Sequence, residues 1–261
     1  MNLLDARIVL RPRKLGEILD LAFLYAHASR RQTRRLSLST LLPALLGCLA
    51  LRYLAHLSWI WVWIAAYGLS SLCMAPFTLL ASRLLFAERT STRRVWKDFA
   101  RGVGTLLLAR LAAIVMNALG AAAILVFLPL AMAHTLFLDE AILLEQMPLS
   151  RAFSRASAVV RRQLSPAQVF GLVQVGVRLL AVIFVDFVGG LFLEYVLQWD
   201  LGKSGLWNEG GSALALMGLF WVVPYLACAK FLLYIDLRTR KEGWDLQLQL
   251  MSFAQSEGEQ P

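Results

Sequence analysis

The chain has 261 residues, of which 59% are hydrophobic and only 16% charged, with a mean hydropathy of +0.62. Soluble domains carry about 45–50% apolar and about 25% charged residues, so the composition points to an all-α, polytopic integral membrane protein and leaves no stretch long enough for a separate soluble domain. The net charge of +9 does not mark a nucleic-acid binder, because the basic residues fall between apolar runs and do not form one aromatic-studded surface.

The first element is KLGEILDLAFLYAHASRR, beginning at Lys14, where Glu17, Asp20, Leu24, His27 and Arg31 recur at three- and four-residue steps while Leu15, Ile18, Leu19, Ala22 and Phe23 fill the other side. Such a stretch forms an interfacial helix, apolar face down and cations toward anionic lipid. Two spans follow at about residues 36–57 and 58–80, a hairpin with Trp59, Trp61 and Trp63 as an aromatic belt at its turn. The LLGC at Leu45–Cys48 has the look of a lipoprotein box, but apolar sequence continues to Leu51, so a retained span is expected.

A second basic stretch, STRRVWKDFARG, precedes an apolar run from Val103 to Leu138 that is long for one span. Asn117 and Gly120 offer a turn near its middle, which divides it into spans of about 103–118 and 120–138. In the third basic stretch, PLSRAFSRASAVVRRQL, Arg151, Arg155 and Arg162 share one helical face and Phe153, Ala156 and Val160 another. The fifth and sixth spans, about 168–197 and 211–235, are separated by the polar WDLGKSGLWNEGGS. The pattern is three units of basic interfacial helix plus membrane hairpin.

Charge tests this division. Twenty-one of the 26 Lys and Arg lie before Leu36, between the second and third spans, between the fourth and fifth, or after the sixth, whereas Arg52 and Lys203 fall in the other loops. The bias puts both termini in the cytoplasm. It also requires the division near Asn117, because a single span there would place two basic loops on opposite sides.

The remaining ionisable residues lie within or at the ends of spans, where each is expensive. They define a candidate polar network of Gln174, Arg178, Asp186, Glu194, Asp139, Glu140, Arg110 and Lys230. Arg110 and Lys230 lie near enough to the cytoplasmic ends to snorkel. Arg178 is twelve residues past Pro166, about 18 Å into a ~30 Å core, with Asp139, Glu140 or Asp186 as candidate partners. Gln174, Arg178, Asp186 and Glu194 make one winding ridge. Cys48, Cys73 and Cys228 read as packing residues, and His27, His56 and His134 assemble no metal site or catalytic triad.

The sixth span closes with FLLYIDLRTRKEGWDLQLQL. If helix continues to about Lys241, Asp236 and Arg240 stand one turn apart and pair, with Arg238, Arg240 and Lys241 at the negative helix end. Gly243 is a natural stop, after which Trp244 and alternating leucines fold back along the interface. Asp236, Arg238, Arg240, Lys241, Glu242, Gly243, Trp244 and Asp245 thus form a candidate docking motif, and residues 252–261 a short polar, disordered tail.

The stretch YIDLRTRKEGWDLQL resembles the ending of bacterial proteins that carry the glycerophosphoryl diester phosphodiesterase membrane domain. RPRKLGEILDLAFLYAHAS resembles that family's amino-terminal opening, and LPLAMAHTLFLDEAILLEQMPLSRAFSRAS its middle. The resemblance implies a six-span membrane module, sometimes fused to a phosphodiesterase barrel, whose His-Glu catalytic pair and acidic metal ligands have no counterpart segment here. The expected function is therefore a non-enzymatic scaffold or assembly partner in a bacterial inner-membrane complex, without cofactor. Its expected partners are anionic lipid headgroups and an unidentified membrane protein, not nucleic acid. The alternative is a transporter or lipid-handling permease with helices broken at Pro43, Pro76, Pro129 and Pro224; a membrane-embedded enzyme comes third.

Overall fold

The computed structural model describes residues 13–85, 91–123, 127–161, 164–198 and 205–242. All regular structure among them is helical: α1 (Leu15–Ala28), α2 (Arg30–Tyr53), α3 (Trp59–Leu85), α4 (Thr92–Ala123), α5 (Leu128–Thr135), α6 (Leu138–Leu143), α7 (Leu149–Val160), α8 (Leu164–Leu191) with a π-helical extension over Phe192–Val196, α9 (Leu206–Glu209), α10 (Ala213–Trp221) and α11 (Val223–Glu242). Five helical stretches are long and apolar enough to cross a membrane: Arg30–Tyr53, Trp59–Leu85, Thr92–Gly120, Leu164–Val196 and Ala213–Arg240. They fit a multi-pass membrane protein. The chain divides into two compact units, one of Met1–Tyr25, Thr78–Gly171 and Cys228–Pro261, the other of Ala26–Phe77 and Leu172–Ala227.

In the first unit the expected turn at Asn117 and Gly120 is absent, and α4 runs through both to Ala123. The alanines around them favour helix, and each residue has another use. Asn117 Oδ1 accepts from the Thr135 hydroxyl at 3.4 Å. Gly120 allows α5 to pack close, since a Cβ there would lie 3.0 Å from that of Ala131. The segment expected as a fourth span is accordingly two short helices, α5 and α6, joined by a turn at Leu136 and Phe137 whose side chains are buried. The second basic stretch is likewise no separate interfacial helix but the opening of α4. The third is α7, whose buried face of Ala152, Ala156, Val159 and Val160 packs on α5 and α6 instead of lipid. Arg83 at the end of α3 pairs with Asp98 of α4, and the Tyr25 hydroxyl of α1 donates to the Ala81 carbonyl at 2.7 Å.

In the second unit α2 reverses into α3 through His56, whose φ of 52° is left-handed, a conformation histidine tolerates better than most residues; the Leu57 N–H donates back to the Leu51 carbonyl at 3.1 Å. The expected aromatic belt is only partly one. Trp61 is exposed, but Trp59 is buried, its indole N–H on Glu209 at 3.4 Å and the Arg52 guanidinium 5.2 Å from its ring centre. Arg52 also pairs with Glu209 at 3.5 Å, and Trp63 donates to the Gly210 carbonyl at 2.8 Å. The four prolines behave in two ways. Pro43 and Pro76 sit inside continuous helices, whereas Pro129 and Pro224 fall in the first turns of α5 and α11, where a missing N–H costs nothing.

Helices α8 and α10 touch at Gly218, where a Cβ would lie 2.4 Å from the Ala181 carbonyl oxygen. Gly218→Ala is expected to destabilise the protein by about 1–3 kcal/mol, the usual cost of overpacking. Gly176→Ala in α8 meets nothing within 4 Å and is expected to be neutral or stabilising by up to about 1 kcal/mol. Thermal unfolding of both variants in detergent distinguishes a helix contact from a general intolerance of substitution.

Candidate functional site

The first unit collects its charges on two consecutive carboxylates and a third a few residues later. Asp139 and Glu140 occupy the first turn of α6, where the helix dipole favours negative charge. Both are buried, Asp139 1% and Glu140 0% exposed. Lys230 of α11, itself buried, donates to Asp139 Oδ2 at 2.6 Å and stands 3.2 Å from Glu140 Oε2. Arg110 of α4 pairs with the same Asp139 oxygen. Asp139 therefore joins three helices, whereas neither oxygen of Glu140 has a hydrogen bond.

One turn beyond α6, Glu145 gathers a second set. Arg155 of α7 grips it with Nε at 2.8 Å and Nη2 at 3.1 Å, Arg238 of α11 stands at 3.2 Å, and the Tyr234 hydroxyl donates to it. The Tyr234 ring lies tilted on Phe137 with centroids 5.5 Å apart. Burial pushes the Glu145 carboxyl up, but the hydrogen bonds from Arg155 and Tyr234 and the charges of Arg155 and Arg238 outweigh it and hold the carboxyl below its ordinary range. Lys230, Tyr234 and Arg238 follow one another at four-residue steps, so α11 presents one polar ladder to Asp139, Glu140 and Glu145.

Of the eight residues expected in one network, the structure joins Arg110, Asp139, Glu140 and Lys230. Arg110 and Lys230 do not snorkel: the carboxylate of Asp139 offers them a partner inside the protein. Along α8 and its extension Gln174 and Arg178 are buried, Asp186 is half-buried and Glu194 is exposed. Arg178 in the second unit has its guanidinium 5.0 Å from the Tyr67 ring centre and donates to Met74 Sδ at 3.1 Å. Of the three carboxylates expected near it, Asp186 accepts from the Ser212 hydroxyl, Asp139 pairs with Arg110 and Lys230, and Glu140 stands by Lys230. Gln174 is buried with its amide nitrogen unbonded. Glu194 is exposed within the π-helical turn. The amino-acid pattern did not single out Glu145 or Tyr234, and Arg155 was assigned only to an amphipathic face; the spacing of Lys230, Tyr234 and Arg238 was the signal available.

At the other motif, Asp236 and Arg240 pair at 2.9 Å as expected. Asp236 also accepts from the Arg13 backbone N–H at 2.9 Å, and Arg240 donates to the Arg13 carbonyl. The chain just before α1 and the last turns of α11 thus meet. Arg238 belongs to the Glu145 set. Lys241 and Glu242 close α11, and their side chains, like Gly243, Trp244, Asp245 and residues 252–261, lie outside the described residues. Cys48, Cys73 and Cys228 are free thiols. Comparison of the chain with protein-family models, curated proteins and solved structures returns no match.

Asp139→Asn is expected to destabilise the protein by about 3–5 kcal/mol, because it strips the shared carboxylate from buried Lys230 and from Arg110. Glu140→Gln removes a charge with no hydrogen bond and is expected to cost far less; unfolding midpoints of the two variants check the order. Glu145, with its pKa depressed, contributes stability that is full above its unfolded pKa near 4.5 and is lost as pH falls through the lower folded value. Glu145→Gln should then cost about 2 kcal/mol at neutral pH, and the gap from wild type should narrow below pH 4.5 in a pH series of melts.

Proposed function

We propose that the chain is a six-crossing, non-enzymatic protein of a bacterial cytoplasmic membrane, with both termini in the cytoplasm, acting as a scaffold or assembly partner. Five crossings are the long apolar helices, and the fourth in chain order is the region of α5 and α6, Leu128–Thr135 and Leu138–Leu143. Two observations support a crossing there. The break at Leu136 and Phe137 is buried in protein, the condition under which irregular backbone is tolerated at membrane depth. A crossing also keeps Arg151, Arg155 and Arg161 on the side of Arg30, Arg31, Arg34 and Arg35, as the positive-inside rule requires.

The observation that carries the scaffold reading is the use of the buried charges. Arg110 and Lys230 are spent on Asp139, and Arg155, Arg238 and Tyr234 on Glu145, so these groups fasten α4, α6, α7 and α11 together. Anionic headgroups are the proposed lipid partners, because Arg30, Arg31 and Arg34 share a depression at the start of α2 with no carboxylate partner among the described residues. The transporter reading keeps one specific support, the unbonded oxygens of Glu140 and the unbonded amide nitrogen of Gln174.

Reporter fusions test the topology: both termini, Arg94 and Arg155 are expected to report cytoplasmic positions, and Asn117 and Lys203 external ones. An external signal at Arg155 removes the α5–α6 crossing. For the role, truncation after Lys241 should leave insertion unchanged but abolish capture of a defined membrane partner by crosslinking. Solute or lipid flux through purified protein in proteoliposomes, lost in Glu140→Gln, would replace the scaffold reading with the transporter.

A further inference from the structure

A cavity of about 540 Å³ opens in the first unit where the start of α1, the start of α8 and the last turns of α11 meet. Arg13, Lys14, Glu17, Asp236, Arg240 and Ser165 supply its polar wall, and Leu15, Ile18, Pro166, Val169 and Leu233 the apolar one. A volume of this size suits a small ligand or the head of a larger one. Among the described residues its charges are unequal: three cations face two carboxylates, and Asp236 is already occupied by the Arg13 N–H and by Arg240. Lys14 is exposed and has no carboxylate partner among the described residues. The wall therefore holds an excess of one positive charge beside an apolar surface, which selects a monoanion with an apolar remainder over a free inorganic ion.

We propose that this cavity binds the phosphodiester headgroup of an anionic phospholipid, with Lys14 and Arg240 toward the phosphate and the glycerol and first acyl carbons along Leu15 and Val169. The assignment rests on the orientation proposed above, which puts the end of α11 and the start of α8 among cytoplasmic headgroups. It differs from a diffuse attraction of basic loops to lipid, because a cavity has a stoichiometry and a shape. The bonds among Arg13, Asp236 and Arg240 shape it by fastening the chain just before α1 to α11.

Native mass spectrometry of the full chain in detergent, with added phosphatidylglycerol or zwitterionic phosphatidylethanolamine and inorganic phosphate as competitor, tests the site. Wild type is expected to retain one phosphatidylglycerol per chain in preference to phosphatidylethanolamine. Lys14→Glu should weaken phosphatidylglycerol about tenfold, the scale of one charge-assisted hydrogen bond, and phosphatidylethanolamine, whose ammonium offsets its phosphate, by less. Val169→Trp, at an exposed position on the apolar wall, should weaken both lipids. Unfolding midpoints confirm that both variants fold; neither residue belongs to the buried core. Retention of phosphatidylglycerol by both variants at wild-type affinity overturns the site. Displacement of lipid by millimolar inorganic phosphate, with no effect of Val169→Trp, overturns the lipid assignment in favour of a soluble anion. Binding in detergent is independent of orientation, so an external signal from a terminal reporter would overturn the topology alone.

Discussion

The first unit depends on one carboxylate. Asp139 is removed from water and accepts from Lys230 and Arg110, so a single side chain holds α6 against both α11 and α4. Desolvating an ion costs several kcal/mol, and only close partners offset it. That balance makes the contact weak as a source of net stability and strong as a constraint. Lys230 in an apolar helix has no comparably good position, so a register in which α11 slides by a residue would leave an uncompensated cation. Glu140 lacks this double engagement, having Lys230 at 3.2 Å and no hydrogen bond. Adjacent carboxylates thus occupy unlike environments because one faces a fork of two cations and the other shares the remainder of one.

Much of the architecture was legible in the amino-acid pattern, for reasons tied to particular residues. The hairpin of α2 and α3 followed from length and apolarity, and the pair Asp236–Arg240 from its four-residue step. The division at Asn117 and Gly120 was misplaced because residues of low helix propensity mark a turn only when nothing else uses them. Here Asn117 takes the Thr135 hydroxyl and Gly120 admits Ala131, both tertiary contacts invisible along the chain. The same limit applies to Trp59. An aromatic at a span end satisfies the rule for interfacial belts, yet its indole and ring are claimed by Glu209 and Arg52 from distant sequence.

The candidate site was half legible. Arg110, Asp139, Glu140 and Lys230 were singled out by their cost in an apolar setting, but their pairing was not, because burial cost identifies residues without naming partners. Glu145 escaped notice in a loop, where a carboxylate is ordinary; only Arg155, Tyr234 and Arg238 converging on it make it exceptional. On α8 the four-residue steps named the polar residues but not their burial, which runs from buried Gln174 and Arg178 to exposed Glu194.

Cations in this chain serve two physical ends, and the carboxylates decide which. Arg110, Arg155, Lys230 and Arg238 are each within reach of Asp139, Glu140 or Glu145, so most of their charge is offset internally. Arg30, Arg31 and Arg34 stand at the start of α2, where the helix dipole is also positive, and no described carboxylate compensates them. Such an arrangement is unfavourable in isolation and becomes favourable beside a negative surface. Lys14 stands between the two cases, uncompensated yet set beside an apolar wall and beside Arg240, whose own charge is shared with Asp236. A surface cluster recruits charge without regard to shape, whereas a walled cation discriminates among anions by what is attached to them. The difference between general attraction to a membrane and selection of one lipid is thus set by how many apolar side chains stand beside the unpaired charge.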